Sequence, residues 1–252
     1  MKHLLAALLR YRYFHYIDAA QKEGSPRHVE AELDLIERFL SPDKAFFDVG
    51  ANVGMYVYAA RKHIPDSRIF AFEPQGEYVS RIKKLFPKVH VEQVALSSSA
   101  GSAQFKVPLI GGHMYSARGT LEKFLEAGES DARTEMVRTT TLDLAKRELN
   151  SGPVGCIKID VEGHEKQVLL GAQDTIARDK PVLMVEIEQR HHQEPIEDIF
   201  SWIRARGYDG SFWDYRAKAL RPISKFSVEA NQRLEDAKTP AYVNNFIFTP
   251  HA

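Results

Sequence analysis

The sequence predicts an α/β fold, a doubly wound and mostly parallel sheet, with a helical extension at its N-terminus. Three observations predict the sheet. From about residue 26, short apolar runs alternate with segments whose apolar residues recur at helical spacing. The runs are near-continuous rather than alternating, as over residues 154–161, which is the pattern of strands covered on both faces. The first run leads directly into a glycine-rich turn that opens a helix.

The elements follow in order. Ser25-Pro26 is an N-cap candidate with proline at the first helical position, and Leu33, Ile36 and Leu40 then share a face. Residues 45–49 form a short buried strand, 55–63 a helix, 68–72 a second strand and 77–86 a second helix. Residues 89–96 are a third strand and 103–107 a further one. Residues 110–136 are rich in Gly, Ser and charge, and carry Gly111-Gly112 and Gly119. Such an insertion is either a lid over a ligand site or surface decoration. Regular alternation resumes with a strand at 154–161 and a helix at 165–177, whose Val168, Leu169, Ala172 and Ile176 share a face. A strand at 182–187, a helix at 196–206 and strands at 208–215 and 244–249 complete the chain. These features divide it into an extension over residues 1–24 and one domain over 25–252.

Composition narrows the function. Lys+Arg and Asp+Glu both number 34, a balance that gives no reason to expect a nucleic-acid or anionic-membrane partner. The single cysteine, Cys156, lies in an apolar run and reads as a buried core thiol, which fits a reducing, cytoplasmic setting. One thiol cannot build a disulfide framework or a multi-cysteine zinc site. The apolar start of the chain ends at Arg10 and continues into aromatic and basic residues, so it reads as a docking helix rather than a secretion signal. No apolar stretch approaches the roughly 18 residues of a membrane span.

The sharpest motif is Asp48-Val49-Gly50-Ala51-Asn52-Val53-Gly54, between the first strand and its helix. Glycine there allows a tight turn and close approach of a ligand. The second strand ends at Glu73, 25 residues after Asp48, where a carboxylate can accept hydrogen bonds from both hydroxyls of a ribose. The dinucleotide fingerprint needs glycine at its first, third and sixth positions; here the third is Asn52 and the sixth Met55. That departure suits a nucleoside without phosphate, its polar tail held by loop backbone groups. A second cluster surrounds Lys158-Ile159-Asp160-Val161-Glu162-Gly163-His164-Glu165, with Glu186 and Glu188 ending the next strand and His191 and His192 close behind. Acids gathered at one sheet edge can shift one another's pKa values and supply a general base. Asp160, Glu162 and Glu186 are the catalytic candidates. Glu165 can be read as a helix N-terminal charge, Glu188 as a solvent-facing strand residue, and His164, His191 and His192 as either functional or solvated. Asp160 and Glu186 are hard oxygen ligands, yet no spacing demands a metal and none is assigned.

Together these segments resemble the FkbM-type S-adenosylmethionine-dependent methyltransferases. The matching pieces are residues 47–56, Phe72-Glu73-Pro74, Ala95-Leu96-Ser97, Thr141-Leu142-Asp143, residues 158–165, Leu170-Gly171-Ala172, Val185-Glu186-Ile187 and Asn244-Asn245-Phe246-Ile247-Phe248. The resemblance implies the class I methyltransferase, Rossmann-like fold, with seven strands and the last one antiparallel. It implies S-adenosylmethionine as cofactor, its methionine part held by Asp48, Gly50, Ala51, Asn52 and Gly54, its ribose by Glu73, and its adenine bordered by Ala95 and Leu96. It further implies O-methylation of a small-molecule or sugar hydroxyl. From its place in the acidic cluster, Asp160 is the first choice of base, with Glu162 or Glu186 orienting the acceptor. A nicotinamide-dependent oxidoreductase and a non-catalytic cofactor-binding module are the rival readings. The glycine spacing argues against the first and the retained acids against the second.

Overall fold

The computed structural model describes residues 32–125, 128–237, 239 and 241–251. The N-terminal extension and the Ser25-Pro26 helix start lie outside the described residues. The first described element is a helical turn, α1 (Glu32–Leu35), continued as a 3-10 turn, Ile36–Phe39. An alternating series follows: β1 (Ala45–Val49), α2 (Met55–Ala60), β2 (Ile69–Phe72), α3 (Gly76–Leu85) and β3 (His90–Glu92). Its second half comprises β8 (Val154–Ile159), α5 (Glu165–Leu170), α6 (Gln173–Asp179), β9 (Val182–Glu186), α7 (Glu197–Arg204), β10 (Tyr208–Asp214), β11 (Ala219–Pro222), α8 (Val228–Asn231) and β12 (Asn245–Pro250).

These strands form one sheet in the order β11-β10-β12-β9-β8-β1-β2-β3. The five from β9 to β3 in that order run parallel, and β12 is antiparallel to both its neighbours. All seven expected strands are present; β11 adds an eighth at the edge by a hairpin with β10. The order reverses between β1 and β8, which opens a crevice at their carboxyl ends.

Period-two alternation sends neighbouring residues of β1 to opposite cores. Phe47 and Val49 pack with Ile157 and Ile159 under Leu142, Val168, Ile176 and Ile203. Phe46 packs with Ala71, Cys156 and Met184 under Tyr56, Val57, Val79 and Ile82. Helices therefore cover both faces, which is why the strands read as continuous apolar runs. Truncating Phe47 to alanine should cost about 3–5 kcal/mol. Cys156 is buried as expected, and burial pushes its thiol well above the ordinary range.

Between β3 and β8 the structure departs from the sequence reading. Residues 89–96 are two strands, because the chain turns at Gln93-Val94 and β4 (Ala95–Leu96) joins a second sheet. That sheet has the order β4-β7-β5-β6, from β5 (Gly101–Ile110), β6 (His113–Met114) and β7 (Glu129–Thr140). The insertion read as irregular thus ends in a long strand. Most of β7 before Val137 is exposed or half-buried on both faces, so it lacks the apolar alternation that marks a strand. Helix α4 (Leu142–Glu148), also missed, is capped by the Thr141 hydroxyl, which accepts from the Leu144 N–H at 3.1 Å. The helix read over 165–177 is divided at Gly171. A Cβ there would stand 2.1 Å from the Ser97 carbonyl oxygen, so glycine lets the two segments touch.

Candidate functional site

The loop after β1 and the end of β2 are locked together. The N–H groups of Gly50 and Ala51 donate to the Phe72 carbonyl at 2.9 and 3.2 Å. The Asn52 N–H donates to Glu73 Oε2 at 2.8 Å, and the Gln75 N–H to Glu73 Oε1 at 2.8 Å. Gly50, Asn52 and Gly54 all have positive φ, at 81°, 46° and 86°. A Cβ on Gly50 would lie 1.8 Å from the Asp160 carbonyl oxygen. That close approach is to the backbone after β8, while Gly50 also lines the cleft described next. One on Gly54 would meet Ile82 of α3 at 3.2 Å, so that glycine serves helix packing.

These residues border a cleft of about 550 Å³ at the crevice. Gly50, Asn52 and Glu73 form one side, Val94, Ala95 and Leu96 another, and Asp160, Glu162 and His164 a third. The remaining wall is the insertion: Ser116, Gly119, Thr120 and Leu121 line the cleft. This strap is fastened at both ends. Gln75 Nε2 donates to the Ser116 carbonyl at 2.9 Å, and the Thr120 hydroxyl donates to the Glu162 carbonyl at 2.7 Å. Glu122 Oε1 lies 2.6 Å from His164 Nδ1, whose Nε2 lies 2.9 Å from the Ser97 hydroxyl. Of the two readings of the insertion, the lid fits this geometry.

Burial sets the electrostatics of the cleft. Glu73 is 3% exposed, and burial pushes its carboxyl up to about 7, against the pull of the Gln75 and Asn52 N–H groups. Asp48 is also buried and reaches about 7 for the same reason, opposed by the Lys158 ammonium and reinforced by Asp160. No described group satisfies Asp48 Oδ2 or the Gln75 Oε1 oxygen, both fully buried. Glu162, at φ 50°, is driven well above the ordinary carboxylate range by burial, then by Asp160 and Glu188.

Asp48, Ala51, Gly54 and Glu186 do not line this cleft. Asp48 and Glu186 belong to a polar stripe on the α2 side of the sheet. The register pairs Asp48 with Lys158, Lys158 with Met184, and Glu186 with Asn245, so these side chains share one face across β1, β8, β9 and β12. Lys158 is wholly buried there, 3.7 Å from both Asp160 Oδ2 and Glu186 Oε2. Its Nζ donates to Asn245 Oδ1 at 3.0 Å, and Asn244 Nδ2 donates to Glu186 Oε1 at 2.7 Å. The sequence reading passed over Lys158 as a site residue. The signal was present: a lysine inside an apolar strand must have partners.

One further expectation is corrected, and of two open readings of a histidine pair one does not hold. Glu188 does not face solvent; it is 5% exposed and held by Arg190 at 2.7 and 2.9 Å and by the Tyr242 hydroxyl at 2.5 Å. Burial raises its carboxyl, but these bonds outweigh it and hold it below the usual value. His191 and His192 are not solvated: His191 Nδ1 lies 3.2 Å from Glu162 Oε2, and His192 Nε2 lies 3.0 Å from Glu165 Oε2. Glu162, Glu188 and His191 bring ligand atoms within 4.8 Å of one another, but Arg190 already supplies positive charge to that cluster.

A family model described as the methyltransferase FkbM domain matches residues 48–209. The chain is 25% identical over 195 residues to the 31-O-demethyl-FK506 methyltransferase FkbM of Streptomyces tacrolimicus, covering 67% of this chain and 74% of that protein. The solved structure of methyltransferase FkbM from Methylobacillus flagellatus KT superposes with a TM-score of 0.50 at 14% identity. The match covers 82% of this chain but 44% of that one, so the chain spans less than half of that solved protein. A TehB-like SAM-dependent methyltransferase from Corynebacterium glutamicum ATCC 13032 Kitasato gives a TM-score of 0.46 at 10% identity, covering 97% of this chain and all of that one. No helix among the described residues is long and apolar enough to cross a membrane.

Proposed function

We propose that this chain, which belongs to the FkbM-type S-adenosylmethionine-dependent methyltransferases, methylates a hydroxyl oxygen of a small-molecule or sugar acceptor. The observation that carries the reading is a single cleft in which the glycine loop, Glu73, Ala95-Leu96 and Asp160 meet. The donor set fits the cofactor. Each Glu73 oxygen accepts one backbone N–H and retains a second lone pair for a ribose hydroxyl. The buried and unsatisfied Gln75 Oε1 adds an acceptor in the same wall. Because the Gly50, Ala51 and Asn52 N–H groups are spent on β2, the loop offers carbonyl oxygens, which suit the ammonium of a methionine tail. Ala95 and Leu96 supply an apolar border for the adenine.

S-Adenosylmethionine, when bound, supplies an activated methyl group. What remains for the protein is to align the attacking oxygen, exclude water and take a proton. The strap from Ser116 to Glu122 roofs the cleft and limits solvent. Asp160, with its side chain 31% exposed at the cleft, is the base for the acceptor hydroxyl; a positioned base contributes roughly 10²–10⁴-fold. The O-methyl specificity draws support from the Streptomyces tacrolimicus relative, whose name gives a 31-O-demethyl-FK506 acceptor.

The test is incubation with methyl-labelled S-adenosylmethionine and a panel of sugars, polyketides and other hydroxylated compounds. Label on an acceptor oxygen, with S-adenosylhomocysteine released in equal amount, is expected. Label appearing only on nitrogen or carbon, or tight cofactor binding with no transfer across the panel, would sink the O-methylation reading.

A further inference from the structure

We propose that the buried ammonium of Lys158 is the resident cation of the Asp160–Glu186 acid pair, standing where a divalent ion would otherwise bridge them. Lys158 is then a positioning residue for the base. Asp160 follows β8 and Glu186 ends the adjacent β9, and both are hard oxygen ligands of the kind that hold Mg²⁺ or Mn²⁺. Lys158 Nζ lies 3.7 Å from an oxygen of each, a spacing of charge attraction rather than of hydrogen bonding. The ammonium has three N–H donors, and Asn245 Oδ1 takes one at 3.0 Å. The Tyr56 ring from α2 receives its positive charge at 4.9 Å to the centroid, and Asp48 on β1 feels it as well.

Every adjoining element contributes to holding this charge: β1 through Asp48, β9 through Glu186, β12 through Asn245 and α2 through Tyr56. A wholly buried ammonium is costly unless its partners are this complete. Asn244 secures the far side of Glu186 at 2.7 Å, so the terminal asparagine pair fixes both the cation and one of its acids. The result is a base, Asp160, whose charge is kept in place from beneath while its exposed edge faces the cleft. Metal-free compensation of the acid pair follows.

The inference takes the role of Asp160 from the proposed function, but its test does not. Mn²⁺ is the probe, titrated by electron paramagnetic resonance into the full chain. Wild type should take up no Mn²⁺ that Asp160→Asn removes. Lys158→Gln should gain a site at least about tenfold tighter, lost again in Lys158→Gln/Asp160→Asn. An Asp160-dependent Mn²⁺ site in wild type, or a folded Lys158→Gln with no new site, overturns the proposal. Should Lys158→Gln not fold, the acid side decides. The Lys158 titration, followed by ¹³C resonance of labelled lysine, should move to lower pH in both Asp160→Asn and Glu186→Gln, and an unmoved midpoint overturns it. A base located elsewhere would leave these Mn²⁺ and resonance results unchanged, so the two readings fail separately.

Discussion

Glu73 accepts the backbone N–H of Asn52 at 2.8 Å, so the acid that follows β2 and the glycine loop that follows β1 form one unit. The acid has two tasks. It braces a loop residue held at positive φ, and it presents its remaining lone pairs to the cleft. Glu73→Ala should therefore weaken S-adenosylmethionine binding by about 1.5–3 kcal/mol, the range for a hydrogen bond to a charged group. Calorimetric titration of the folded variant measures it. Unchanged affinity would remove Glu73 from the ribose contact and leave only the brace.

The same acid makes the cleft sensitive to pH. Glu73 and Asp48 are raised from 4.5 and 3.8 to about 7, so the folded protein binds protons that the unfolded chain has lost. Stability from this source is present below about pH 4 and declines as pH rises through about 7. The melting temperature of the cofactor-free protein should fall between about pH 5 and about pH 8. Asp48→Asn should flatten that slope. Cofactor affinity should run the other way, because ribose hydroxyls donate to the ionised form of Glu73 and favour it. Scanning calorimetry and binding titration over this range check both signs; parallel slopes would contradict the assignment.

The glycines of the chain should separate by environment. Gly50 has φ 81° and its Cβ would collide with the Asp160 carbonyl at 1.8 Å. Gly112 has nearly the same φ, 80°, with nothing within 4 Å of a Cβ. Gly112→Ala should lose only the cost of a left-handed conformation, about 1–2 kcal/mol. Gly50→Ala should lose more than this and disturb the β1–β8 junction itself. Denaturant unfolding of both variants gives the comparison. Equal losses would mean that strain alone, not the close approach, requires glycine at position 50.

The apolar runs made the main sheet legible, because β1, β8 and β9 are buried on both faces and are written in continuous hydrophobic residues. The glycine loop and Glu73 were legible for a related reason: positive φ and an acid at a strand end leave a residue-type signature. The second sheet was not legible, since β7 packs with its neighbours through backbone bonds while many of its side chains reach solvent. The meaning of some residues also came only with the fold. Asp143 caps the start of α6, accepting from the N–H groups of Asp174 and Thr175 at 3.0 and 2.9 Å. Asn245 meets Lys158 across 87 residues of chain, a contact no local pattern encodes.

The acids near the cleft can be ranked by their surroundings, which sharpens the test of chemistry. Glu162 is pushed well above the usual carboxylate range by burial and by neighbouring Asp160 and Glu188, which makes it harder to ionise than an exposed acid. Glu186 contacts Lys158 and Asn244 and does not line the cleft. Asp160 combines an exposed edge at the cleft with the Lys158 ammonium 3.7 Å away. Asp160→Asn keeps the shape and removes the base. Turnover on a working acceptor should fall by about 10²-fold or more. Cofactor affinity should change far less, because ground-state binding does not use that proton. Glu162→Gln should lower turnover much less than Asp160→Asn. Single-turnover kinetics with parallel binding titrations separate the cases. Equal losses in binding and turnover for Asp160→Asn would assign that residue to the cofactor. Near-normal turnover with normal binding would leave alignment by the cleft as the source of catalysis.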